Sequence, residues 1–126
     1  MKKILIIDDD RTITKMLVRR LKKAGYGICT AENGVKGIKV AYEFLPDIIL
    51  MDMHMPVMDG YQTTQTLREK GWQGPIIALT ASVMAVDASR AMEAGCDHFI
   101  PKPIDLEFEV KLKAILEAGY EQDSDC

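Results

Sequence analysis

Apolar residues in this chain follow two rhythms. Continuous runs of four, Ile4–Ile7, Ile48–Met51 and Ile76–Leu79, alternate with longer stretches in which apolar residues recur every three or four positions. Short runs rich in branched residues predict strands covered on both faces, and the spaced stretches predict amphipathic helices. Thr12–Ala24 carries Ile13, Met16, Leu17 and Leu21 on one helical stripe, with Gly25 as the stop. Gly27–Thr30 reads as a weaker strand, suited to a sheet edge. After the Asn33-Gly34 turn, Val35, Ile38, Tyr42 and Leu45 form a second stripe that Pro46 closes. A polar helix is expected from Gly60 to Lys70, and a short one from Val86 to Ala94 with Ala88, Ala91 and Met92 inward. A fifth strand ends near Pro101. A last helix, capped by Asp105 or a neighbour, has Phe108, Leu112, Ile115 and Leu116 on one face. Five strands alternating with five helices predict a doubly wound α/β fold. Its five-stranded parallel sheet has flavodoxin-like order 2-1-3-4-5 and helices on both faces. Residues 1–120 make one domain, and 121–126 are expected to be a short, disordered acidic tail.

The strand ends carry the chemistry. The first run meets Asp8-Asp9-Asp10, the third strand meets Asp52, the fourth meets Thr80, and Phe99-Ile100-Pro101 meets Lys102. In open α/β sheets ligands bind beyond the carboxyl ends of the strands, where strand order reverses. Carboxylates gathered there repel one another, so a proton or a cation must neutralise them. Hard oxygen ligands suit Mg²⁺. One carboxylate can then act as a nucleophile toward phosphorus, giving an aspartyl phosphate. Lys102 would offset the phosphoryl charge, and Thr80 would donate to a phosphoryl oxygen. Capping the first helix would occupy one of the three aspartates, most naturally Asp10.

Composition narrows the partners. Apolar residues make up 48% and charged residues 28%, ordinary for a globular domain, and the formal charge is −3. No net basic field draws nucleic acid. Cys29, Cys96 and Cys126 form no close pair and no metal-ligand spacing, which fits a reducing compartment; Cys29 and Cys96 are expected to be buried thiols. No signal peptide and no apolar run of about 20 residues is visible, so a cytoplasmic location and no membrane insertion are expected.

Four motifs, in order and at matching intervals, carry a family likeness. They are Ile6–Asp10, Pro46–Gly60 with Asp52 inside it, Ile77–Ala81, and Pro101-Lys102-Pro103. From Lys3 to about Ala118 the chain resembles a response-regulator receiver domain, the phosphoacceptor of two-component signalling. The resemblance implies a switch that takes phosphate on Asp52 from a histidine kinase or histidine phosphotransfer domain, with Mg²⁺ as cofactor. It would then change its binding to a downstream protein, or pair as a phosphorylation-linked dimer. No turnover of an external substrate is implied. Asp9 resembles the direct metal ligand, and Asp8 the acid acting largely through water. His54 resembles the residue giving its backbone carbonyl to the metal. Thr80 and Phe99 resemble the switch pair, Lys102 the phosphate-binding lysine, and Lys102-Pro103 a cis bond. His54 and Ser82 fill the positions that tune the phosphate's lifetime. Phe99 lacks the hydroxyl of the tyrosine common there.

Two other functions use similar parts. A phosphohydrolase of the haloacid dehalogenase type also has an aspartyl nucleophile at a strand end, but needs a second aspartate two residues on, where this chain has His54. A flavin-binding module would need a hydroxyl- or glycine-rich phosphate loop where this chain has three carboxylates.

Overall fold

The computed structural model describes residues 1–81 and 85–124. Its elements run β1 (Lys3–Ile7), α1 (Arg11–Lys23), β2 (Gly27–Ala31), α2 (Gly34–Phe44), β3 (Ile48–Asp52), α3 (Gly60–Glu69), β4 (Ile76–Thr80), α4 (Ala85–Ala94), β5 (His98–Pro101) and α5 (Phe108–Ser124). The strands form one parallel sheet in the order β2-β1-β3-β4-β5, as the sequence pattern predicts.

Alternation along the strands builds two cores. Ile4, Ile6, Ile48, Leu50, Ile77, Leu79 and Ile100 face α1 and α5, meeting Leu17, Leu21, Phe108, Leu112 and Leu116. Leu5, Ile7, Ile49, Met51 and Ala78 face α2, α3 and α4, meeting Ala41, Leu67, Ala91 and Ala94. Each fully buried Ile or Leu contributes roughly 1.5–3 kcal/mol relative to exposure.

One predicted helical face is largely turned away from the sheet, and a second differs at a single residue. On α2 the buried residues are Gly34, Gly37 and Ala41, while Val35, Tyr42 and Leu45 are exposed. The reason is volume. A Cβ added at Gly37 would lie 2.5 Å from Ile7 Cδ1, so only a glycine lets α2 lie this close to β1. On α4 Ala91 is buried and Ala88 half-buried, as the pattern predicts, Ala94 is inward as well, and only Met92 departs by being exposed. Small residues again face the sheet there. Cys96 is buried as expected, but Cys29, on the edge strand β2, is only half-buried. Helix α5 continues as far as Ser124, past the boundary at 120. Among the described residues no helix is long and apolar enough to cross a membrane.

Candidate functional site

Four strands deliver the site. Asp52 and Thr80 are the last residues of β3 and β4, Asp8 follows β1, and Lys102 follows β5. Pairing of Ile7 with Met51 carries Asp8 and Asp52 out side by side at the carboxyl rim. Backbone bonds prolong the ladders just past the strands. Asp8 N donates to Ala31 O at 3.1 Å, Met53 N to Leu79 O at 3.1 Å, and Lys102 N to Thr80 O at 2.7 Å. The Lys102–Pro103 bond is cis.

Electrostatics make the site tense. Asp8, Asp52 and Thr80 are all buried, and Asp9 is exposed. Lys102 Nζ lies 3.0 Å from Asp8 Oδ2 and 3.4 Å from Asp52 Oδ1. The lysine therefore touches Asp8 at least as closely as the nucleophile candidate. His54 N donates to Asp52 Oδ1 at 3.2 Å. Burial and the neighbouring charge of Asp8 push the Asp52 carboxyl up to about 7, against the opposing pull of Lys102 and the His54 amide. Burial draws the Lys102 ammonium down, but Asp8 and Asp52 outweigh it and hold it above the usual lysine value. One ammonium does not balance three carboxylates.

That deficit fits a hard divalent cation. Asp8, Asp9 and Asp52 each offer an oxygen, and these oxygens lie within 4.8 Å of one another. Around an octahedral Mg²⁺ the farthest ligand oxygens are about 4 Å apart. The three acids thus need only a small approach to share one ion. The donor set is all oxygen, as Mg²⁺ prefers over softer metals.

Asp10 stands apart from this cluster. Its side chain caps α1, accepting from Thr12 N and Ile13 N, and its own amide donates to Asp8 Oδ1 at 2.9 Å. The triple aspartate is thus divided between a cap and the site. The His54 side chain is exposed, and its ring lies edge-on to Tyr61 with centroids 6.3 Å apart. Phe99 is half-buried against the β1–β3 core, paired through its backbone with Ala78. Ser82 lies outside the described residues. The sequence pattern gave no notice of Tyr61 beside His54, nor of Arg90, whose guanidinium carbon sits 4.0 Å over the Tyr61 ring.

An open parallel sheet with an acidic trio and one lysine at its carboxyl rim defines the class: a flavodoxin-like domain with a cation-ready carboxylate site. The chain belongs to the response regulator receiver domain family, whose family model matches residues 4–115. It is 35% identical over 116 residues to the alkaline phosphatase synthesis transcriptional regulatory protein PhoP of Bacillus subtilis, covering 91% of this chain and 48% of that protein. It is 36% identical over 104 residues to the sensor histidine kinase RcsC of Salmonella typhimurium, covering 82% of this chain and 11% of that protein. The chain thus spans half or less of these relatives. Among solved structures, a putative response regulator from Chloroflexus aurantiacus superposes with a TM-score of 0.86 at 32% identity, over 92% of this chain and 98% of that one. The chemotaxis protein CheY4 of Vibrio cholerae gives 0.85 at 29% identity, over 91% and 98%.

Proposed function

We propose that this domain is a phosphorylation switch. Asp52 accepts a phosphoryl group from the phosphohistidine of a histidine kinase or histidine phosphotransfer domain, with Mg²⁺ bound, and the modified domain binds a downstream protein differently. The observation that carries this reading is the setting of Asp52. It is a buried carboxylate at a strand end, contacted by Lys102 and the His54 amide, with two more acids within 4.8 Å.

The chemistry follows from these positions. Asp8, Asp9 and Asp52, with the backbone carbonyl of His54, would hold Mg²⁺, which supplies positive charge to the phosphoryl oxygens. An Asp52 oxygen attacks phosphorus, an O–P bond forms, and the P–N bond to the donor imidazole breaks. The imidazole leaves with the electron pair and takes a proton from solvent. The Lys102 ammonium is close enough to Asp52 to exchange its carboxylate contact for a phosphoryl oxygen. Thr80, buried at the end of the neighbouring strand, is the hydroxyl donor nearest in topology. Phosphorylation adds charge where Asp8, Thr80 and Lys102 meet, and Lys102 links that charge to β5, where Phe99 lies. The domain itself works in the cytoplasm, and no external substrate is turned over.

Incubation with Mg²⁺ and a small phosphodonor should add one phosphoryl group to the wild type by intact mass and none to Asp52→Asn. Equal labelling of both would overturn the assignment.

A further inference from the structure

The α3 N-terminus is pressed against the site. A Cβ on Gly60 would lie 2.4 Å from Asp52 O and 2.6 Å from Met53 Cα, so the first turn of α3 touches the backbone of the candidate nucleophile. Gly60 N donates to Met53 O at 3.2 Å. Asp59 caps this turn and shares a reciprocal box with Gln62. The next residue, Tyr61, is therefore indexed to Asp52 by backbone contact, and it is buried to all but 7%.

Two side chains meet the Tyr61 ring from different elements. His54, whose amide donates to Asp52 Oδ1, presents its ring at 6.3 Å and 75°. This is the edge-to-face geometry that aromatic pairs favour. Arg90 of α4 lies over the ring at 4.0 Å, well inside cation–π range. Asp59 and Asp87 also place charge near the phenol and, after burial, hold it above the ordinary tyrosine value, with Arg90 opposing them. Tyr61 also belongs to the core under α3 and α4, but core packing alone does not require the His54 and Arg90 contacts on its ring.

We infer that Tyr61 is a positioning residue for the loss of phosphate from Asp52: its ring holds the His54 imidazole toward α3, and Arg90 makes that placement depend on α4. The inference rests on the phosphorylation reading above. In the decay step a water oxygen attacks phosphorus and the P–O bond to Asp52 breaks. The carboxylate is regenerated, and the water's protons leave with dihydrogen phosphate. The His54 amide touches the Asp52 carboxylate, so a change in where its imidazole sits would alter the space next to the phosphoryl group and how often a water is aligned there. Tyr61 acts only by setting that orientation.

The test is a double-mutant cycle on the decay rate of phosphorylated protein. Tyr61→Leu should change the decay at least threefold in the wild-type background and leave it unchanged in His54→Ala. Arg90→Met, which keeps the ring and serves if Tyr61→Leu folds poorly, should show the same dependence on His54. Tyr61→Phe, which keeps the ring, should decay like the wild type. The His54 imidazole proton shifts should move in Tyr61→Leu even without phosphate, because the neighbouring ring current is lost. Decay unchanged in Tyr61→Leu and Arg90→Met, or changed equally in both His54 backgrounds, would overturn the inference and leave the phosphorylation reading standing. A wild type that takes no phosphoryl group would overturn both.

Discussion

The two ends of the sheet treat charge in opposite ways. At the amino ends of the strands, Arg68, Lys3, Asp47 and Asp97 all have partners. Arg68 donates to the carbonyls of Gly95, Trp72 and Gly74 and to Asp97, and Asp97 also accepts from Ile76 N. Lys3 bonds Phe44 O through its ammonium and Asp47 through its amide. At the carboxyl ends, by contrast, Asp8, Asp9 and Asp52 crowd around a single lysine. One end spends its polar groups on holding loops together. The other gathers like charges that a proton or a cation can offset.

Cutting the secure end should give the largest effect. Arg68→Met removes the side-chain donor from three carbonyls and leaves Asp97 with only the Ile76 amide, and should cost about 3 kcal/mol of stability in urea unfolding. Phosphoryl uptake at permissive temperature should persist. Loss of uptake in folded protein would erase the contrast between the two ends.

The tense end should reveal itself through pH. The folded value for Asp52 stands near 7, above its ordinary value of 3.8, so the native state holds a proton that the unfolded chain has released between those limits. Without divalent cations, stability should fall as pH rises from about 4 to about 7, by about 4 kcal/mol at most, an upper limit that solvent screening at the rim lowers. Asp52→Asn should flatten that dependence. An unchanged slope in the mutant would place the repulsion elsewhere.

Mg²⁺ at about ten times its dissociation constant should add about 1.4 kcal/mol, raising the melting temperature by about 4 °C. Asp9→Ala should remove most of that gain, and Asp97→Ala, at the other end, none of it. A wild type indifferent to Mg²⁺ would count against the metal site. The smallest effect is conformational. Lys102→Ala should still take up phosphate, while the phosphorylation-induced amide shifts around Thr80 and Phe99 shrink. Shifts equal to those of the wild type would refute coupling through the lysine.

How much of this was legible in the sequence depended on distance along the chain. Strand order and the carboxyl-rim residues were readable because each apolar run ends on its own reactive side chain. The α2 face was misread because Gly34, Gly37 and Ala41 look weak on a hydrophobic pattern, yet their small size is what admits the sheet. Val35, Tyr42 and Leu45 keep helical spacing with Ile38, yet only Ile38 packs against the core, and spacing does not say which of two stripes is buried. Arg68 finds Gly95 and Asp97 across 27 and 29 residues, and Arg90 finds Tyr61 across a whole strand. Contacts of that kind leave no local periodicity. The partition of the aspartates was legible for Asp10, since capping is a local demand that one acid meets.

The strand order also sets a schedule for synthesis. As the chain emerges, β2 joins one side of β1, β3 joins the other, and β4 and β5 each extend the edge just made. No strand has to wedge between two that are already paired, so the nascent sheet can grow outward without being reopened. The acids are gathered early in this sequence, once β3 has docked, whereas Lys102 arrives only with β5. In chain order the three acids thus precede their built-in counter-charge, and a chain ending after β4 would carry the negative residues without Lys102.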